Sequence, residues 1–293
     1  MSRFLDKTAS LTPMAYNVIV HAATEAPFSG AYQTKVEAGS YLCRRCGLCL
    51  FRADSQFTSH CGWPSFDVAV NQSLEEKPDP DGMRTEICCQ RCHAHLGHVF
   101  TGEQLTPNNK RYCVNALSLD FVIDDTVRDS SELIVAGGCF WGVEYYLKQM
   151  PGVLHTSVGY TGGHLESPTY NDVCQGNTGH YEAVRVIFNP EITTFFTLIK
   201  RFFEIHDPTQ CDGQGPDLGH QYQSAVFCYD EQQTKDTEKA INLLKQNQYL
   251  VQTKLLPAQA FWPAEAYHQQ YYDKQNNKPY CHQPVFRFDI KNH

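Results

Sequence analysis

The run Gly137-Gly138-Cys139-Phe140-Trp141-Gly142 places a thiol where it can act as a nucleophile. Residues 132–136 (ELIVA) form a short apolar run with polar flanks, which predicts a buried strand. After them Phe140, Val143, Leu147 and Met150 recur at helical spacing until Pro151-Gly152, which predicts a helix and its stop. Cys139 is then expected at a strand-to-helix turn. The free N–H groups and positive dipole end of such a turn favour a thiolate, and the two glycines leave the sulfur open. Phe140 and Trp141 add an apolar wall. The plainer alternative is a small buried cysteine that happens to start a helix, and the flanking glycines and aromatic pair weigh against it.

A second thiol stands in Arg111-Tyr112-Cys113-Val114-Asn115. A period of two puts Arg111, Cys113 and Asn115 on one face of a strand, with Tyr112 and Val114 on the other. A guanidinium beside the thiol lowers its pKa, and Asn115 can hold a polar ligand. Further upstream, Cys43-Arg44-Arg45-Cys46 and Cys89-Gln90-Arg91-Cys92 form a pair of CxxC turns, the spacing that presents four thiolates to one tetrahedral zinc. Four sulfur ligands leave no open position, so the expected role is structural. Cys46 and Cys49 are also CxxC. Cys43 is preferred because Gly47 supplies the permissive backbone after the second ligand, and Cys49 falls in a strand-like run. Cys88 is read as a bystander.

Glu182 begins the run EAVRVIF at 182–188, where alternation places it with Val184, Val186 and Phe188 and turns Arg185 the other way. A carboxyl on an apolar side is desolvated, its pKa rises, and it can act as a general acid near neutral pH. A glutamate at the wet end of a strand is the plain alternative.

The elements that must carry these groups fall into two textures. The chain has 293 residues, enough for two domains with real cores. Residues 1–124 are short strand-like runs broken by Gly, Pro, Asn and Asp, with helical spacing only at 12–24, and predict a mostly β domain. Residues 125–131 read as a polar linker. Residues 132–293 predict strands at 132–136, 153–159, 182–188, 224–229 and 249–256, and helices from Phe140, Glu191 and Glu231. Asn189 is the expected cap of the helix from Glu191, Pro190 its first residue, and Ile192, Phe195, Phe196, Ile199, Phe202 and Phe203 its apolar face. This β-α-β-β-α-β order implies a mixed sheet with helices on one side, an α+β fold.

Net charge is −8, and no Lys/Arg cluster is longer than Arg44-Arg45, which argues against nucleic acid or an anionic membrane as partner. No apolar run reaches membrane-spanning length, and the first residues show no signal-peptide core, so a cytoplasmic protein is expected. Thirteen cysteines, odd in number and unevenly spaced, suit metal ligation or redox thiols in a reducing compartment better than a secreted disulfide framework.

Taken together, CGWPSF at 61–66, GMRTE at 82–86, CHAHLGHVF at 92–100 and RYCVN at 111–115 resemble the methionine-R-sulfoxide reductase family, MsrB. The resemblance implies a β-rich zinc-binding fold with Cys113 as nucleophile. Around it stand Trp63 on the substrate methyl, His95, His98 and Asn115 on the oxygen, Arg111 close by, and Cys61 as resolving cysteine. His60 departs from the family's usual glycine. GGCFWGVE at 137–144, GYTGG at 159–163, PTYNDVCQGNTGHYEAV at 168–184, HDPTQ at 206–210, GPDLGHQYQSA at 215–225 and FWPAEAYHQQY at 261–271 resemble peptide methionine-S-sulfoxide reductase, MsrA. That resemblance implies a ferredoxin-like α+β domain with Cys139 attacking the sulfoxide sulfur. It makes Phe140 and Trp141 the methyl pocket, Glu182 the proton donor, Tyr170 and Tyr222 the hydrogen-bond partners of the oxygen, and Asp217 and His268 supports. Cys211 and His220 stand where the family carries other residues.

Cys281 lies in a polar, turn-rich stretch at 275–284 and is expected to be a mobile resolving thiol. Cys174 and Cys228 are expected to pack. The chemistry implied is reduction of both epimers of methionine sulfoxide, free or in proteins, through a cysteine sulfenic acid and an intramolecular disulfide. Thioredoxin or a similar dithiol would renew the thiols, with structural zinc and no organic cofactor. One rival is a thiol peroxidase or disulfide oxidoreductase, marked by peroxide turnover above sulfoxide turnover. Another is a zinc-stabilised redox-sensing adaptor, which needs neither a proton donor nor a methyl-sized slot.

Overall fold

The computed structural model describes residues 4–35, 38–279 and 281–288. It divides between Ser130 and Ser131 into two compact units. In the first, helix α1 (Pro13–His21) is capped by the Thr12 hydroxyl and starts with Pro13, the residue whose missing N–H costs nothing there. Strands β1 (Ser40–Cys43), β2 (Cys49–Arg52), β3 (Gln56–Phe57), β4 (Ser65–Phe66), β5 (Leu74–Pro78), β6 (Thr85–Cys89), β7 (His95–Thr101), β8 (Lys110–Val114) and β9 (Leu119–Val122) follow. They form a sheet of order β2-β1-β9 and a larger one of order β3-β4-β8-β7-β6-β5. Between the sheets Tyr41, Phe51 and Phe66 are buried and in ring contact, with Phe51 stacked on Phe66 at 4.3 Å between centroids. Residues 125–130 run back over this unit: the Cys49 N–H donates to the Arg128 carbonyl, and Ser130 and Gly47 are hydrogen-bonded.

The second unit opens with β10 (Ser131–Ala136), α2 (Phe140–Leu147), β11 (Val153–Thr161), α3 (Tyr170–Cys174), β12 (Tyr181–Phe188) and α4 (Phe195–Ile205). After these come a small hairpin, β13 (Gly213–Gln214) and β14 (Asp217–Leu218), then β15 (Ala225–Cys228), α5 (Glu231–Gln246), β16 (Lys254–Pro257), β17 (Trp262–Pro263) and α6 (Tyr271–Lys274). The main sheet runs β16-β15-β10-β12-β11-β17. Its four central strands have the order of a ferredoxin-like sheet, as the β-α-β-β-α-β pattern implied. Val184, Val186 and Phe188 pack with residues of α2, α4 and α5 in one core, which places these helices on one face. From the opposite face of the same strand, Arg185 pairs with the buried Glu132 at 2.7 Å.

Two element boundaries differ from expectation. The helix of 191 onward begins at Phe195, capped by Thr194, whose hydroxyl accepts the Thr197 N–H at 3.1 Å. Asn189 instead closes a separate turn by accepting the Glu191 N–H, which leaves Ile192 outside the helix and 61 % exposed. The last long strand is Lys254–Pro257, because residues 249–253 only connect α5 to the parallel pairing of β16 with β15. No helix among the described residues is long and apolar enough to cross a membrane.

Candidate active sites and metal centre

Cys113 lies on β8, cross-strand from His98 on β7 and Ser65 on β4. Tyr112 and Val114 point into the core, so the strand's alternation presents Cys113 on the other face. Its sulfur is 3.6 Å from that of Cys61, which also takes a 3.0 Å hydrogen bond from the Ser59 hydroxyl. Beside it is a cavity of about 100 Å³ lined by Trp63, His98, Phe100, Cys113 and Asn115 among others.

The surrounding side chains are braced. Arg111 is held by Glu103 through two 2.8 Å bonds and lies over the Phe100 ring at 4.4 Å. His95 Nδ1 is 2.6 Å from Glu86, and its buried Nε2 has no partner. His98 Nε2 is 2.5 Å from Asp79. Asn115 accepts the Glu25 N–H and donates to the Leu96 carbonyl. Glu25, which the sequence analysis missed, knits the site together. Its carboxylate accepts the Ala116 and Leu117 N–H groups at 2.6 and 3.0 Å, and its carbonyl accepts the Trp63 indole N–H at 3.1 Å.

The electrostatics of this thiol pair differ from expectation. The hydrogen bond with Cys61, then burial, then the charge on Cys61 push the Cys113 thiol up, and Arg111 only partly offsets them. Cys61 is pulled down to about 4, chiefly by the hydrogen bond from Cys113. Arg111 does favour the Cys113 thiolate, while the contact with Cys61 works against it.

Cys43, Cys46, Cys89 and Cys92 converge with all four sulfurs within 4.8 Å of one another, and all four residues are buried. The Cys43–Cys92 and Cys46–Cys89 distances are 3.6 Å each. Four thiolates around zinc at about 2.3 Å stand roughly 3.8 Å apart, so the donor set fits that ion. Gly47, at φ +79°, is required at the turn, since a Cβ there would meet the Ser130 carbonyl oxygen at 2.3 Å. Cys49 is buried outside this group, and Cys88 turns toward Glu86 at 3.3 Å.

In the second unit Cys139 is the residue before the first turn of α2, reached through Gly138 at φ +90°. The Phe140 N–H donates to Glu182 Oε2 at 3.2 Å. Glu182 is buried, and burial followed by the nearby Cys139 raises its carboxyl well above the ordinary range, which favours its protonated form. Tyr170 and Tyr222 lie within reach of its field; burial raises both, Tyr222 to about 12.

Aromatic groups surround this centre. Phe140 is buried with its ring 5.1 Å from His268, and Trp141 stacks on Tyr271 at 3.7 Å while its indole N–H donates to His268 Nδ1 at 3.1 Å. Tyr170 also packs on the His268 ring. His268 Nε2 and Asp217 Oδ2 are buried without a hydrogen-bond partner, the former 3.9 Å from Glu265.

The Cys281 sulfur, expected to be a mobile resolving thiol, lies 3.0 Å from His282 Nδ1. Interaction with Cys139 lowers Cys281, while the same interaction and burial raise Cys139. The helix start contributes only the pull of the Trp141 N–H toward the thiolate. Of the remaining thiols, Cys228 packs in the core, whereas Cys174, expected to pack, is exposed at the end of α3, and Cys211 is also exposed.

Residues 131–291 match the family model described as peptide methionine sulfoxide reductase, and residues 11–123 match the SelR domain. A peptide methionine sulfoxide reductase MsrA of Methanosarcina mazei is 49 % identical over 142 residues, 47 % of this chain and 67 % of the relative. One from Thermus thermophilus is 46 % identical over 148 residues, 50 % of this chain and 84 % of the relative. Among solved structures, reduced Mxr1 from Saccharomyces cerevisiae aligns with a TM-score of 0.51 at 32 % identity, covering 53 % of this chain and 92 % of that one.

Proposed function

Because the chain belongs to the peptide methionine sulfoxide reductase family and carries a SelR domain before that region, we propose a division of labour between two thiol centres. Residues 1–124 reduce the R epimer at Cys113, and residues 132–293 reduce the S epimer at Cys139. The observation that supports this most is a second cysteine beside each nucleophile, Cys61 in sulfur contact with Cys113 and Cys281 interacting with Cys139, together with buried polar atoms that lack a hydrogen-bond partner. Those atoms, His95 Nε2 in one unit and His268 Nε2 and Asp217 Oδ2 in the other, suit a polar ligand.

In the second unit the Cys139 thiolate attacks the sulfoxide sulfur while Glu182 gives its proton to the oxygen, and Tyr170 and Tyr222 hydrogen-bond to that oxygen. Phe140 and Trp141 enclose the methyl side, with Asp217 and His268 supporting. Methionine leaves, and Cys139 becomes a sulfenic acid that condenses with Cys281. In the first unit Trp63 receives the methyl group, His95, His98 and Asn115 face the oxygen, Arg111 supports the Cys113 thiolate, and Cys61 resolves. A chiral sulfur explains the need for two pockets, since one arrangement of methyl, oxygen and backbone admits one epimer in line with its thiolate.

Cys43, Cys46, Cys89 and Cys92 hold zinc, which fastens the fold and leaves no position for chemistry. Thioredoxin or a similar dithiol reduces the disulfides by exchange, and a reducing cytoplasm suits so many thiols. The test is to assay separated epimers with Cys113→Ser and Cys139→Ser. Each change should abolish reduction of one epimer only, and loss of both from either change overturns the division.

A further inference from the structure

His282 follows Cys281, and its ring is fixed at both nitrogens. Only 1 % of the residue is exposed. Nε2 lies 2.8 Å from the Gly137 carbonyl oxygen, which can only accept, so Nε2 carries the proton of the neutral ring. Nδ1 is therefore a lone pair, and it faces the Cys281 sulfur at 3.0 Å. The same sulfur interacts with the Cys139 thiol. The start of α2 is cut to admit the ring, since a Cβ on Gly142 would come within 2.2 Å of His282 Nδ1. The last glycine of the GGCFWG run thus has a spatial reason that lies in the C-terminal segment.

We propose that His282 is the general base of the resolving half-reaction, a role that rests on the reading of Cys139 as the nucleophile. After methionine leaves, Cys139 carries S–OH. Nδ1 removes the Cys281 thiol proton, and the electron pair of that sulfur forms the S–S bond with Cys139. The S–O bond breaks, and the departing hydroxide takes the proton from Nδ1 and leaves as water. The Cys281 sulfur is oxidised, the Cys139 sulfur is reduced, and the ring returns to its neutral tautomer.

The groups whose charge reaches this pair are Cys139, Glu182 and Asp217, with His206 on the buried side and Tyr146 donating its hydroxyl to the His282 carbonyl. Burial, acting first, lowers the His282 ring below its ordinary range, and the Gly137 bond and Asp217 act against it. That direction favours the neutral ring, whose Nδ1 lone pair faces the Cys281 sulfur.

The experiment mixes the full chain with one equivalent of S-sulfoxide and follows two quantities by rapid quench: the first methionine released, and the Cys139–Cys281 disulfide. The His282→Gln chain is expected to release methionine yet close the disulfide about 100-fold more slowly at pH 7, the ordinary size of a general-base contribution. The deficit should shrink toward pH 9.5 as free thiolate becomes available. Undiminished closure, or slowing by one factor at every pH, overturns the proposal. Absence of a methionine burst in the unaltered chain would instead sink the reading of Cys139 and this role with it. Should the variant fail to fold, the unaltered chain decides. Closure that is level from about pH 6 to 9 fits a neutral base already in place, and a tenfold rise per pH unit excludes it.

Discussion

The sulfurs of Cys61 and Cys113 lie 3.6 Å apart, and their contact shifts the two thiols in opposite directions, Cys61 down and Cys113 up. The contact therefore works against the thiolate of the cysteine expected to attack. Cys113 becomes the stronger nucleophile only when Cys61 moves off or takes over the proton, at which point Arg111 is the remaining influence that favours its thiolate.

Replacing Cys61 by alanine should lower the pKa of Cys113, because the two contributions of Cys61 that raise it disappear while Arg111 stays. Iodoacetamide labelling of Cys113 against pH, read by mass spectrometry, gives the midpoint. In the reciprocal Cys113→Ala chain, which removes the donor, the Cys61 midpoint should rise from about 4. A Cys113 midpoint that is unchanged or higher in Cys61→Ala contradicts the pairing.

Glu182→Gln should cut reduction of the S epimer by about 10² to 10⁴ and leave the R epimer alone, since an amide occupies the space without a proton to give. The pH dependence has a definite sign. Because burial raises the folded carboxyl above its ordinary 4.5, its contribution to stability is full below that value and is lost as pH rises through the raised one. S-epimer turnover should fall over the same upper limb, and urea melts of Glu182→Gln should lose that part of the pH slope.

Metal analysis should find one zinc per chain, retained in Cys49→Ala and lost in Cys43→Ser. Each of the four thiolate ligands contributes to the fold through the metal, so loss of the ion should lower the melting temperature of the first unit and abolish R-epimer reduction. Zinc retention in Cys43→Ser together with loss in Cys49→Ala would move the clip to the alternative register.

Glu25→Ala should destabilise the first unit by roughly 2 to 4 kcal/mol, because the Ala116 and Leu117 N–H groups lose their acceptor, each worth about 1–3 kcal/mol when left buried and unpaired. Trp63 and Asn115 then lose the segment that aims them, so KM for the R epimer should rise more than kcat falls. Chemical denaturation and steady-state kinetics of R-sulfoxide measure both.

What could be read in the chain was local. Phe140, Val143 and Leu147 announce α2 because they repeat within one element, and the two CxxC turns announce the metal clip because each turn sets its own geometry. The alternation at 182–188 places Glu182 correctly for the same reason. Thr194 outcompeted Asn189 as cap because the chain needed a turn after β12 before α4 could pack Phe202 and Phe203 inward. Glu25 gave no local signal, since its partners lie about ninety residues away. His282 is likewise explained only by Gly137 and Gly142, more than a hundred residues earlier.

The leading N–H of α2 is directed at Glu182 and not at sulfur. In the proposed reaction Glu182 surrenders its proton and becomes an anion in an apolar setting, the most expensive moment of the cycle for that side chain. The donor from Phe140 is already aimed at that anion, so the helix acts as a waiting counterpoise for the spent acid and eases its recharging with a proton before the next substrate arrives.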